Sequence, residues 1–177
     1  MTKRIASIAT VVACITVLAA CSASSTTNTR TTHRVEGNLA KHYADIGSLS
    51  NDSTAVVIAR PSGKSVQEPA DAAGKSGVSA TVTPVDVVKT LKGSTPSSTL
   101  RIRQVLVGDD TALVSGRTYV LFVTPFHFDT APDNGEWVVT GAVGKYVVNG
   151  ANVSVPAGTP AGPPQQLTLS ALTAQVG

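Results

Sequence analysis

Along most of this chain the apolar residues come in short, often alternating runs separated by Gly, Pro, Asn and Asp, the period expected of half-buried strands. Thr54-Ala55-Val56-Val57-Ile58-Ala59-Arg60 is a compact β-branched run ended by Pro61 and predicts a strand. Ser62 to Gly77 follows as a polar loop. Val78, Ala80 and Val82 then alternate, after which the apolar phase moves to Val85 and Val87 and ends at Leu91. A strand changes its core face by taking in an extra residue, so a bulge or bend is predicted at Pro84. Lys92 to Ser97 makes a turn. Leu100, Ile102 and, past Gln104, Leu106 alternate with Arg101, Arg103 and Val105, which predicts a strand with one wet face.

Gly108-Asp109-Asp110 is a further turn, and Gly116 precedes the run Tyr119 to Val123. Trp137-Val138-Val139, Lys145 to Val148 and Val153-Ser154-Val155 come at hairpin spacing. Asn149-Gly150 signals a type I′ turn between the last two, with Ala151-Asn152 as a possible extension of that loop. Ahead of the strands, Leu39, Tyr43 and Ile46 have a weak helical spacing that stops near Gly47, predicting one short helix or turn. Pro156 to Pro164 ends regular pairing. Leu167 to Val176 reads as a closing strand or a short helix, with a helix after Leu169 preferred. About six or seven short strands and little helix predict an all-β fold, a small antiparallel β-barrel or sandwich with short flanking helices.

The N-terminal segment has a different texture. Lys3 and Arg4 form a basic start, and Ile5 to Leu18 is an apolar run shorter than the ~20 residues that span a bilayer. It ends in Leu18-Ala19-Ala20-Cys21. Apolar, small, small, cysteine resembles the lipobox of bacterial lipoproteins, and the likeness covers residues 1–21. That resemblance implies a lipid thioether on Cys21, cleavage between Ala20 and Cys21, and in many bacteria acylation of the new α-amine. It places the protein on the extracytoplasmic face of a cell membrane, held by its lipid. Two acyl chains make such an anchor practically permanent, at roughly 0.8 kcal/mol per buried methylene.

The organisation that follows is a signal peptide over 1–20, a lipidated tether over 21–38 and a single β-rich domain over 39–177. Its core lies at about 53–155, with a Pro/Gly-rich loop at 156–164 and a C-terminal segment at 165–177. Ser22 to Arg34 has no large apolar side chain, so the sequence predicts a flexible tether that holds the domain on the order of 20–25 Å from its anchor. Loss of Lys3 and Arg4 takes the basic residues from 14 to 12 against 11 acidic ones. A near-neutral body gives no basis for nucleic-acid binding. Cys14 leaves with the signal and Cys21 carries the lipid. No thiol then remains for a disulfide, a metal or a nucleophile, and packing must supply the stability.

Val85-Asp86-Val87-Val88-Lys89-Thr90-Leu91-Lys92-Gly93, then Leu100-Arg101-Ile102-Arg103, then Gly116-Arg117-Thr118-Tyr119-Val120-Leu121-Phe122 form a progression over roughly residues 53–155. It resembles small bacterial secreted modules similar to OB-type barrels of the netrin/TIMP-like class. The resemblance implies an OB-like fold. TIMP-type inhibition chelates zinc through a free N-terminal cysteine amine, and here Cys21 is committed to lipid, so protease inhibition does not carry over.

Candidate chemistry is sparse. Gly63-Lys64-Ser65 and Gly74-Lys75-Ser76 resemble the end of a phosphate loop, but the positions that would hold the earlier glycine are Ile58 and Pro69, and solvated turns are expected instead. His127, Asp129, Asp133 and Glu136 fall in one predicted loop, where an imidazole with carboxylates would suit a divalent metal or an acid–base pair. Their spacing matches no ligand signature. His33 lies in the tether and His42 at the domain entry, away from any site, and Asp109-Asp110 reads as a solvated turn. Arg101 and Arg103, with Lys89 on a neighbouring strand, offer a face for an anionic partner or polysaccharide, or simply a solvated sheet face. Phe126 and Phe128 flank His127 as core-lining aromatics or as an exposed contact tip.

The reading is a membrane-anchored, non-enzymatic binding or interaction module whose partner is a protein or polysaccharide at the cell surface. No catalytic, cofactor-binding or metal residue is assigned, and no cofactor is expected. The alternatives are a metal-dependent hydrolase using His127, Asp129 and Glu136, and a structural component of the envelope.

Overall fold

The computed structural model of the chain describes residues 41–106, 108, 110–128 and 135–177. The signal peptide, Cys21, the tether and His33 lie outside the described residues, as do Leu39, Asp109, Asp129 and Asp133.

The domain opens with helix α1 (Ile46–Asp52), where Asp45 is the N-cap and its Oδ1 accepts from the Ser48 N–H at 2.7 Å. Gly47 lies in the first turn rather than ending the helix, so α1 begins near where the sequence spacing predicted a stop. The cap decides the start, and burial of Ile46 and Leu49 decides the face. At the other end the Ser50 carbonyl accepts from Ser53 N–H and from the Lys92 ammonium, which reaches it from the sheet.

Among the described residues nine strands follow: β1 (Ala55–Pro61), β2 (Val66–Pro69), β3 (Ser79–Lys92), β4 (Thr99–Gln104), β5 (Tyr119–Phe126), β6 (Glu136–Val139), β7 (Lys145–Asn149), β8 (Asn152–Ser154) and β9 (Gln166–Thr168), then helix α2 (Leu169–Ala174). Strands β1, β3, β4, β6 and β5 pair in that order, and β5 returns to β1, closing a five-stranded barrel. Every pairing in the ring is antiparallel except β4 with β6. The fold is thus an all-β, OB-like barrel rather than a sandwich. β2 extends the sheet beside β3, and β7, β8 and β9 extend it from β5.

Two cores meet across β1 and β5. Ala55, Val57, Ala59, Tyr119, Leu121 and Val123 fill the barrel together with Ile102 and Trp137. Val56, Val120 and Phe122, on the opposite faces of the same strands, pack with Ile46, Leu49, Tyr146 and Leu172 in a second core. Burial on both faces is why these two strands read as unbroken apolar runs. The loop after β4 closes the barrel with Leu113, whose N–H donates to Gln104 Oε1 at 3.1 Å.

Several local expectations are corrected. β3 is continuous through Pro84, which sits opposite Arg101 in regular register. The irregularities of β3 come later, against β1, opposite Val56–Val57 and Ile58–Ala59. The apolar phase changes because Ala80 and Val82 are buried on the outer face while Val85 and Val87 serve the barrel interior. Part of the expected 62–77 loop is strand β2. β4 stops at Gln104, leaving Val105 and Leu106 exposed. β6 and β7 do not pair with each other; both pair with β5, β6 over Val123–Phe126 and β7 over Tyr119–Leu121, so they follow one another along that strand. Asn149 pairs with Asn152, so the β7–β8 turn is centred on Gly150-Ala151. Only Gly150 there has positive φ (+62°), the type II′ pattern rather than I′. The C-terminal segment is strand and then helix, with Thr168 as the N-cap of α2.

Candidate functional site

Strand register gathers the charged candidates on the outer face of the barrel. Arg101 lies opposite Pro84 on β3 and Glu136 on β6, and Arg103 lies opposite Val82 and Val138. Glu68 of β2 lies opposite Ala80, and Phe126 of β5 lies opposite Glu136. Residues directly opposite each other share a face, so one face carries two arginines, two glutamates and an aromatic ring.

These groups form a closed ionic cluster. Arg101 Nη2 donates to Glu68 Oε1 at 2.7 Å and to Glu136 Oε1 at 2.9 Å. Arg103 Nη1 donates to Glu68 Oε2 at 3.2 Å and to Glu136 Oε2 at 2.8 Å. Arg103 Nη2 also donates to the Pro69 carbonyl, while its buried Nε–H has no partner among the described residues. The rings of Phe126 and Phe128 lie 4.9 and 5.2 Å from the Arg103 guanidinium carbon and meet each other edge to face. Burial opposes the charge on Glu136, yet the hydrogen bonds from Arg103 and Arg101 outweigh it and hold the carboxyl below the usual carboxylate range. The bond to Glu136 likewise raises Arg101.

The sequence grouped these residues differently. Glu136 is not a loop residue beside His127; it begins β6, is 1% exposed, and has both oxygens engaged by arginines. His127 is exposed. Arg103 is 3% exposed and is no part of a wet strand face, whereas the Arg101 side chain is half exposed. Lys89 pairs with Ile58 on β1, beyond the part of β3 that borders β4, so it does not extend the arginine face. Phe126 and Phe128 are half-buried over Arg103, neither lining the core nor forming a bare tip.

The two Gly-Lys-Ser turns are occupied by the chain itself. The Asp71 carboxylate accepts from the N–H groups of Ala73, Lys75 and Ser76, at 3.0, 3.0 and 2.8 Å, and the Ser76 bonds hold it well below the ordinary range. An anion already fills the amides that would cradle a phosphate. In the other turn, Ser65 Oγ is bonded to Thr83 Oγ1 at 2.8 Å. His42 is exposed at the domain entry.

Beside the ionic cluster a cavity of about 470 Å³ opens between β4, β6, the start of β7 and the 158–160 turn. Arg103 forms one wall; Gln104, Val139, Ala142, Lys145 and Pro160 line much of the rest. Lys145 is buried because it shares a strand face with Val147, which belongs to the barrel core. Its ammonium donates to Asp110 Oδ1 at 2.8 Å and to the Thr111 carbonyl, so Asp110 is an ion-pair partner rather than a merely solvated turn residue. Sequence reading passed over Glu68, Gln104 and Lys145. The parity of Lys145 with Val147 was the available signal for Lys145; Glu68 and Gln104 gave none, since their roles come from strands remote in sequence.

Among the described residues no helix is long and apolar enough to cross a membrane, and no group of three or more His, Cys, Asp or Glu is arranged to hold a metal ion. No known protein family matches this chain, and no curated protein matches it either.

Proposed function

We propose that the chain is a lipid-anchored, extracytoplasmic binding module that captures a ligand in the cavity beside β4 and β6. The observation that carries the anchoring is Leu18-Ala19-Ala20-Cys21 behind a basic start and an apolar run. Binding rather than catalysis is supported by the state of the candidate groups. Glu136, a carboxylate of the set the hydrolase alternative would use, begins β6 and is committed to two arginines, and the cavity is walled by apolar and small residues together with Arg103, Gln104, Asp110, Lys145 and Thr159. The tether would let the barrel sample the space above the membrane, where a protein or polysaccharide partner would deliver or receive what the cavity holds.

The test is metabolic labelling with a palmitate analogue and fractionation of cells expressing the chain or its Cys21→Ser variant. Label in the parent, with loss of label and release from the membrane fraction in the variant, is the expected result. An unlabelled parent that sediments no differently from the variant would overturn the anchor.

A further inference from the structure

We infer that a polar groove at the Asn149 end of β7 holds an acidic polysaccharide through Arg60 and Arg117. This is a second surface of the domain and rests on neither the anchor nor the cavity. Arg101 and Arg103, the face the sequence offered to an anion, are neutralised by Glu68 and Glu136. Arg60 and Arg117 are not. Both are exposed, and neither is ion-paired among the described residues. Asp86 lies opposite Arg60 on β3, but its Oδ1 accepts from the Thr99 hydroxyl at 3.1 Å and it forms no ion pair with the arginine. The Arg60 Nε–H donates to Thr118 Oγ1 at 2.9 Å, which sets this guanidinium at the residue following Arg117. Its two Nη groups keep their protons for a ligand.

Arg117 and Thr118 line a groove of about 470 Å³ with Asn149 and Ser154 of the β7–β8 hairpin and with Pro156 and Ala157 beyond it. The groove is open to solvent and mostly polar, which suits an extended hydrophilic chain better than a small apolar molecule. Guanidinium groups match a carboxylate with paired N–H donors. The side chains of Thr118, Asn149 and Ser154 both donate and accept, as sugar hydroxyls require. A peptide adding as a strand would instead need unpaired backbone donors. At this groove the Arg117 N–H donates to the Val114 carbonyl at 3.3 Å, Val148 N–H to the Thr118 carbonyl at 2.8 Å and Val155 N–H to the Gln165 carbonyl at 3.0 Å. Recognition therefore falls to side chains, and their chemistry fits alternating hydroxyls and carboxylates.

The experiment titrates the full-length chain, solubilised in a neutral detergent at low salt, with a short oligogalacturonate, a dextran oligomer of similar length and an oligoglutamate of equal charge. Calorimetry reads the affinities. Oligogalacturonate is expected to bind saturably and at least about tenfold tighter than the other two. Arg60→Gln and Arg117→Gln are each expected to weaken it about threefold, as exposed charge pairs do, and the double variant about tenfold. Lys75→Gln removes the same charge from an exposed turn outside the groove and is expected to leave binding unchanged. Ala157→Glu, at an exposed lining position, sets a carboxylate in the groove and is expected to abolish binding with the urea midpoint of the parent kept. Dextran binding as tightly as oligogalacturonate would overturn the acidic requirement, and oligoglutamate binding as tightly would overturn the polysaccharide in favour of a peptide. Full affinity in the double variant, an equal loss in Lys75→Gln, or no saturable binding of oligogalacturonate would overturn the site.

Discussion

Arg103 and Glu136 meet at 2.8 Å across the parallel β4–β6 contact of the barrel, both almost wholly withdrawn from solvent. The two strands are joined by no hairpin, and the two residues stand 33 positions apart in the chain. A slip of one residue would turn the Glu136 carboxylate toward the apolar interior, so the pair fixes register at the closure as well as adding an attraction. Arg101 and Glu68 complete the neutralisation and tie β2 into the same face.

Glu136→Gln leaves the buried Arg103 short of its closest anion and is expected to cost about 3 kcal/mol. Arg101→Ala removes a half-exposed partner and is expected to cost about 1 kcal/mol or less. Urea unfolding of both variants beside the parent checks the order.

The same cluster sets an acid limit. The Glu136 carboxyl titrates lower in the folded chain than its ordinary value of 4.5. Its contribution is therefore present above that value and is lost as pH falls through the folded one. Thermal melts taken downward from neutral pH should show a declining midpoint below about pH 4.5 in the parent. The decline should be shallower in Glu136→Gln, and an equal slope in both would contradict the assignment.

Alkali acts through Tyr146. Burial pushes its phenol up to about 12, against 10.0 for an unburied one. The unfolded chain ionises first, so stability is intact below pH 10 and falls as pH rises toward 12. Tyr146→Phe, which gives up the 3.3 Å bond from its hydroxyl to the Pro164 carbonyl, is expected to flatten that fall, as followed by circular dichroism across the alkaline range.

Gly93 turns the chain between β3 and β4 with φ +69°, and a Cβ there would stand 2.2 Å from the Thr54 carbonyl oxygen. Gly93→Ala combines a left-handed backbone with a backbone clash and is expected to cost roughly 3 kcal/mol. Gly77, with φ +67° but open space around it, provides the comparison, since Gly77→Ala carries the backbone term alone. Chemical denaturation of the two variants separates the contributions.

In the second core, Leu172 of α2 is fully buried. Leu172→Ala is expected to cost about 3 kcal/mol. Hydrogen exchange should quicken first at the α2 amides, while those of β4 and β6 keep their protection.

How far these features were legible in the sequence follows from their range. Ala55 to Ala59 and Tyr119 to Val123 announced themselves as strands because β-branched and aromatic runs act locally. Thr168 capping α2 was likewise within reach of a short window. Parity alone misjudged Arg103. It alternates with Ile102 as a surface residue should, yet β2 and the ends of β5 and β6 cover it, and those partners come from 35 residues upstream at Glu68 and 33 downstream at Glu136. The bulge expected at Pro84 failed for a related reason: the rule assumes one buried face, and here both faces of β3 are buried in turn. Glu136 was grouped with His127 by nearness in sequence, while the ladder with β4 assigned it to the arginines.

The Ser50 hydroxyl donates to the Val176 carbonyl at 3.0 Å, joining α1 to the last residues of the chain within the second core. Tension entering from the N-terminal side would therefore load α1 and the C-terminal turn before any barrel strand. If the domain is held at a surface and is pulled upon, the outer core serves as a mechanical fuse, and the ring of strands stays shut until that fuse has given way.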